Sequence, residues 1–215
     1  MNCAARNAAR LLADARVLAD AKRFPTAASL AALSIEESGK VVILRRFLTA
    51  SDGDTLKNLW REYRSHTSKN IHWIMPELVA SGGRKLVDFL PMVDGLSNHP
   101  ELLDAMKQLG FYTDCLGAAV WSEPQLAIDE SLCRKLISAA EILLSDREVS
   151  TQELELWKKH LLPVWNDYPK MQDAVIAWYA EMQASGLMPA GANLMERFIQ
   201  HGLTPGQASK LKDDA

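Results

Sequence analysis

The chain lacks most of the features that announce a familiar chemistry. Only three of its 215 residues are cysteines, Cys3, Cys115 and Cys133, and no two of them form a C-x-x-C pair. A disulfide framework does not fit, and a reduced compartment does. No run approaches the roughly 18–20 consecutive apolar residues that cross a bilayer. The N-terminal segment MNCAARNAARLLADAR has no uninterrupted apolar stretch, because Asp14 breaks it. The expectation is a cytoplasmic protein with no membrane partner. Nor is there an excess of one charge: 24 basic residues against 27 acidic ones give a net charge of −3. Binding to nucleic acid through bulk charge is therefore disfavoured, while a local basic face stays open. A glycine-rich phosphate loop, a G-x-S-x-G elbow, a dinucleotide fingerprint and an H-E-x-x-H pair are all missing. His66 and His72 stand six residues apart rather than four, and His99, His160 and His201 are scattered. No metal and no cofactor is expected.

What the chain does have is helical periodicity. Ala8, Leu11, Leu12, Ala15, Leu18 and Ala19 keep helical spacing in a first helix over residues 4–23. Phe24-Pro25-Thr26 interrupts it. A second helix runs from Ala27 to about Leu48, and the short connection makes the two antiparallel. Ser81-Gly82-Gly83 marks a turn, and residues 84–99 read as a short helix followed by irregular chain. Pro100 opens another helix, PELLDAMKQLGF. After a loop at Trp121–Pro124, helical patterns resume from Asp129, with a Ser150…Glu153 capping box and a tail rich in Trp157, Trp165, Trp178 and Tyr179. No segment alternates like a strand, and there is no internal repeat. The expected fold is all-α.

The densest group of reactive side chains lies between Asp54 and Met75, read as one helix. Leu56, Trp60, Tyr63, Thr67, Ile71 and Ile74 form its apolar stripe, and Arg61, Ser65, Lys69 and His72 its polar side. Ser51 with Asp54 resembles a cap at its start. In the preceding helix, Glu37 falls among Ala27, Leu30, Ser34, Val41, Leu44 and Leu48 on one seam. A carboxylate there must be paired, protonated or beside water. Lys40 is within reach three residues on, and Gly39 permits close approach of another segment. Glu37 reads first as a structural ion pair, and alternatively as a group that holds His66 or Arg61.

Together these blocks resemble the AbiV family of abortive-infection proteins. The resemblance rests on Asn7…Leu11…Asp14-Ala15, on Ala27…Leu30-Ala31 leading to Glu36-Glu37-Ser38-Gly39-Lys40, on Ser65-His66-Thr67-Ser68-Lys69, and on Lys107-Gln108-Leu109-Gly110-Phe111-Tyr112-Thr113-Asp114. It implies an all-α, HEPN-like antiparallel helical bundle with additional C-terminal helices. The whole of 1–215 would form one helical domain, with a core of about 5–125 and an extension of about 128–212.

Many HEPN proteins are metal-independent endoribonucleases with an R-x(4–6)-H motif at a dimer interface, and Arg61…His66 fits that pattern. The resemblance thus implies Arg61 and His66 as catalytic residues. Glu37, Lys40, Lys69, Tyr112 and Asp114 become supporting or RNA-binding groups. It further implies a homodimer, an RNA substrate such as tRNA or mRNA, and a phage protein as activator or target. The chemistry is sound. Histidine, with an ordinary pKa near ~6.5, transfers protons at neutral pH, and arginine grips phosphate oxygens in its fork. Five residues of one continuous helix, however, turn two side chains about 140° apart, so a long arginine or a two-fold partner must close the site. The alternative is a non-catalytic helical protein that binds a phage or ribosomal component, with Tyr112 as a core tyrosine and the tail tryptophans and Tyr179 as core residues or binding anchors.

Overall fold

The computed structural model describes residues 1–115, 120–145 and 147–208. Residues 209–212 of the expected extension lie outside them. The helices are α1 (Asn2–Asp20), α2 (Phe24–Arg46), α3 (Gly53–Arg64), α4 (Met75–Ala80), α5 (His99–Phe111), α6 (Pro124–Ala127), α7 (Glu130–Leu143), α8 (Thr151–Leu161), α9 (Tyr168–Ala184) and α10 (Leu194–His201). The protein is all-α, and an isolated bridge between Cys115 and Trp121 is the sole extended pairing among the described residues.

The fold is built around α2. Helix α1 runs antiparallel to it: the two join through Ala21–Arg23, while the Ser34 hydroxyl donates to the Ala8 carbonyl at 2.8 Å. The seam between them consists mostly of alanines (Ala8, Ala15, Ala19, Ala27, Ala28, Ala31, Ala32), all buried. Small side chains bring the two backbones close, and Leu12, Ile35, Leu103, Cys133 and Leu136 fill the remaining space from α1, α2, α5 and α7. Helix α2 is therefore buried on more than one side. Pro25 sits in its first turn, where the missing N–H is not needed, so α2 begins at Phe24 rather than Ala27.

Two glycines decide how closely neighbours approach α2. A Cβ on Gly39 would overlap the Lys69 carbonyl oxygen, and one on Gly110 would overlap the Ser29 hydroxyl and stand 2.6 Å from the Pro25 carbonyl. Gly39 thus admits a turn of irregular chain, and Gly110 admits α5.

A second apolar cluster unites α8 and α9 through Leu161, Trp178, Tyr179 and Met182. It is joined to α2 by charge. Glu153, 1% exposed, receives Arg45 at 2.8 Å and Arg147 at 2.6 Å, and the Arg45 guanidinium lies 5.0 Å from the Trp157 ring centre. Ser150 caps α8 by accepting from the Glu153 N–H, but the Glu153 side chain turns to these arginines instead of completing a capping box. A third cluster packs Phe198 of α10 and Leu203 against Val79 and Phe89.

Gly39→Ala and Gly110→Ala are each expected to lower stability by about 1–3 kcal/mol through overpacking. Gly53→Ala, which meets open space at the start of α3, should be neutral or slightly stabilising. Urea unfolding of the three variants checks this.

Candidate functional site

Helix α3 is shorter than its sequence pattern predicts. It is capped by Asp52, not Ser51, whose carboxylate accepts from the Thr55 N–H at 2.7 Å. It ends at Arg64, where Ser65 turns extended (φ −75°, ψ 133°). The Ser65 hydroxyl accepts from the Ser68 N–H at 3.2 Å and bonds the Thr67 hydroxyl at 3.1 Å. Such local side-chain bonds compete with helix continuation, and the chain passes into a 3-10 turn, Thr67–Lys69. The predicted stripe fails with it. Leu59 is the buried residue of α3, whereas Leu56 and Trp60 are exposed and Trp60 packs edge-on to Phe47 and Tyr63.

The turn that follows is tied to the start of α5. The Asn70 amide donates to the Pro100 carbonyl, the Trp73 indole to the His99 carbonyl, and the His99 Nε2 to the Ile71 carbonyl at 3.0 Å. His66 is carried by this anchored turn and not by a helix, so the 140° separation from Arg61 does not apply.

Inside the turn lies a buried carboxylate, and it is Glu36 rather than Glu37. Glu36 Oε2 is 2.8 Å from His66 Nδ1, and Oε1 accepts from Lys107 Nζ at 2.6 Å. Lys107 also donates to Asp104 at 2.6 Å, and Lys69 Nζ stands 4.0 Å from Glu36. The side chains of Glu36, Lys69 and Lys107 are 5–6% exposed, whereas that of His66 is 61% exposed. An ionised carboxylate only accepts, so His66 Nδ1 carries the proton and Nε2 presents its lone pair outward.

The two lysines respond differently. Burial lowers the Lys107 pKa, but its hydrogen bonds to Asp104 and Glu36 more than reverse this, and the net shift is upward. Burial lowers Lys69, with Glu36 only partly compensating. Glu36, His66 and Asp104 approach one another closely enough to hold a metal ion. Lys107, bonded to both carboxylates, already supplies a positive charge at their centre.

The other sequence-derived candidates are dispersed. Glu37 is half-buried and pairs with Lys40 at 2.5 Å, and Lys40 also lies 6.0 Å from the Tyr63 ring centre. Lys69 faces inward, so it offers no surface charge to a phosphate. Arg61 is exposed, and among the described residues no ion pair or side-chain hydrogen bond engages it or joins it to His66. Tyr112 is exposed, stacked near Phe111, and is not a core tyrosine. Asp114 accepts from the Cys115 N–H beyond α5. Neither is bonded to the His66–Glu36 pair.

Lys107 and Asp104 had no assigned role in the sequence reading, although a signal for Lys107 existed. Leu103, Lys107 and Gly110 share the buried face of α5, as Ala32, Glu36, Gly39 and Ile43 share that of α2. Opposite charges on two buried stripes imply a pair.

A protein-family model described as AbiV, of the HEPN type, matches residues 1–145. The chain belongs to the AbiV family. Membership associates it with abortive infection, the defence of bacteria against phage. The match takes in α1 to α7 and therefore every residue of the Glu36 cluster. No curated protein and no solved structure gives a significant match. No helix among the described residues is long and apolar enough to cross a membrane.

Replacing Lys107 by methionine leaves Glu36 buried without its closest cation, and a loss of about 3–5 kcal/mol is expected by urea unfolding. Lys69→Met, removing a partner at 4.0 Å, should cost less. A second expectation concerns pH. Burial, and then His99, lower the His72 pKa below its ordinary value. The unfolded chain therefore binds more protons than the folded one as pH falls below ~6.5, and stability drops there. Thermal melts between neutral and mildly acidic pH should fall less steeply for His72→Gln than for wild type.

Proposed function

We propose that this AbiV-family protein is a metal-independent endoribonuclease that halts phage infection by cutting RNA. The observation that carries the reading is the His66–Glu36 pair. A buried carboxylate fixes the ring through Nδ1, and Nε2 is left free at the surface. This is the arrangement a general base needs, because the orienting acid sets the tautomer and stabilises the imidazolium once it forms.

In this mechanism Nε2 takes the proton of a ribose 2′-hydroxyl, and the resulting oxygen attacks the adjacent phosphorus. The phosphate–O5′ bond breaks, leaving a 2′,3′-cyclic phosphate, and a histidine returns the proton to the departing 5′-oxygen. Arg61, exposed and without a protein partner among the described residues, stabilises the charge on the phosphate. A homodimer would bring a second Arg61 and His66 to the same groove and concentrate positive charge there despite the negative chain. The substrate class is tRNA or mRNA, and a phage product serves as trigger or target. Lys107 acts indirectly by keeping Glu36 charged and in place.

A second reading has its own support. Leu96 and Leu126 are 96% and 83% exposed, and Val87, Leu90, Val93 and Trp121 are also exposed. Apolar groups in such number suit a surface that binds a phage or ribosomal component without catalysis.

Purified wild type, His66→Ala and Glu36→Gln are to be compared on total RNA in EDTA, with end-group analysis and phage protection in cells. Wild type should leave cyclic phosphate ends. His66→Ala should lose cleavage by at least about a hundredfold, the contribution of a general base, and lose protection. Full protection by His66→Ala would defeat catalysis and favour the binding surface.

A further inference from the structure

Beside the His66–Glu36 pair lies a cavity of about 570 Å³. It shares its wall with the site: Thr67 and Ser68 follow His66 directly, and Gly39 stands one turn beyond Glu36. Its lining further includes the apolar side chains of Ile43, Ile71, Met92 and Pro100, and Arg46, whose guanidinium is paired with Glu62. His72 lies in this wall. Its ring nitrogens have no hydrogen-bond partner among the described residues, yet they are not among the buried unpaired atoms, so they reach accessible space.

The neighbouring imidazole is committed elsewhere. His99 Nε2 donates to Ile71 and its Nδ1 bonds the Ser97 hydroxyl at 2.8 Å, which fixes its tautomer within the protein. His72 is the imidazole left for a ligand, with one donor and one acceptor. Asp94, one oxygen of which accepts from the Leu96 N–H, and Glu101 add exposed carboxylates to the lining, which can only accept.

We infer that this cavity is a nucleobase subsite, taking an unpaired base with an exocyclic amine from the strand held at His66. The inference rests on the nuclease reading of His66. A cavity of this volume, with apolar walls and a few polar groups, suits a flat ring with a polar edge. Proteins read RNA chiefly through splayed, unpaired bases bonded on such edges. His72 bonds the edge of the ring, and the carboxylates receive the amine of adenine, cytosine or guanine. Uracil has no such amine and leaves them unpaired.

The wild-type full chain is titrated with 5′-AMP, 5′-CMP, 5′-GMP and 5′-UMP while the imidazole resonances of His72 and His66 are followed by NMR. Mononucleotides have no internucleotide bond to cleave, so binding is read apart from catalysis. At least one amine-bearing nucleotide should saturate the His72 signal at millimolar concentration, with 5′-UMP about tenfold weaker. His72→Gln should weaken that binding about tenfold, and Glu101→Ala, on the exposed side of α5, should narrow the preference over 5′-UMP while leaving the thermal midpoint nearly unchanged.

If no nucleotide moves the His72 signal, or if all four bind equally and His72→Gln binds as wild type does, the subsite is refuted. Nucleotide binding at His72 in a chain whose His66→Ala variant still protects fully against phage would uphold the subsite and defeat the nuclease. RNA cleavage that depends on His66 but is indifferent to His72→Gln in rate and sequence preference would do the reverse.

Discussion

The structure depends on one carboxylate kept out of water. Glu36 lies in the interior, where an isolated charge would cost several kcal/mol, and three groups from two other parts of the chain converge to hold it. Lys107 comes from α5, His66 and Lys69 from the turn after α3. None of these could move far without stranding a charge. The cluster therefore fixes α2, α5 and the turn relative to one another in a way that interchangeable apolar side chains would not. Its one exposed member is the histidine. A buried charge network with a single proton-carrying group at the surface both organises the bundle and presents a reactive atom.

The turn bearing His66 exists because several local choices agree. Ser65 draws the chain out of the helix, Gly39 lets the Lys69 carbonyl lie against α2, and the bonds from Asn70, Trp73 and His99 tie the segment to α5. Had α3 continued, His66 would sit on a rod whose rotation is set by distant packing. A tied turn makes its orientation depend on near neighbours, which is what a general base requires. The same turn forms the wall of the adjacent cavity, so groups that orient His66 also shape the space next to it.

Much of the fold was legible in the sequence because periodicity reports burial. The long helices, their antiparallel start, the loop beginning at Trp121 and the cap at Ser150 follow from spacing and from the chemistry of proline and serine, whereas Phe24–Thr26, read as a break, is the first turn of α2 because proline is tolerated there. The failures have a common origin in tertiary context. Helix α2 is covered on several sides, so two interleaved stripes are buried and spacing alone does not separate Glu36 from Glu37. The stripe of α3 breaks because Ser65 has a local alternative to the helical bond, and no average over a window registers one hydroxyl. Lys107 belongs to a block that carries the family resemblance but received no role, because the partner of a lysine on an apolar face is set by packing. The motif drew attention to Arg61 and His66, but the carboxylate and ammonium behind the histidine are products of packing.

The Arg45–Glu153 pair has a consequence for how the chain is divided. The recognisable AbiV segment stops at residue 145, yet an arginine within it takes its counter-charge from a glutamate beyond it, under the indole of Trp157. Cutting the chain where the family likeness ends would strip Arg45, at the far end of α2, of both its counter-charge and the indole rings beside it. The limit of shared ancestry and the limit of mechanical independence fall at different places along this polypeptide. The tail helices cover the far end of α2, and through α2 they bear on the histidine that Glu36 holds near its middle.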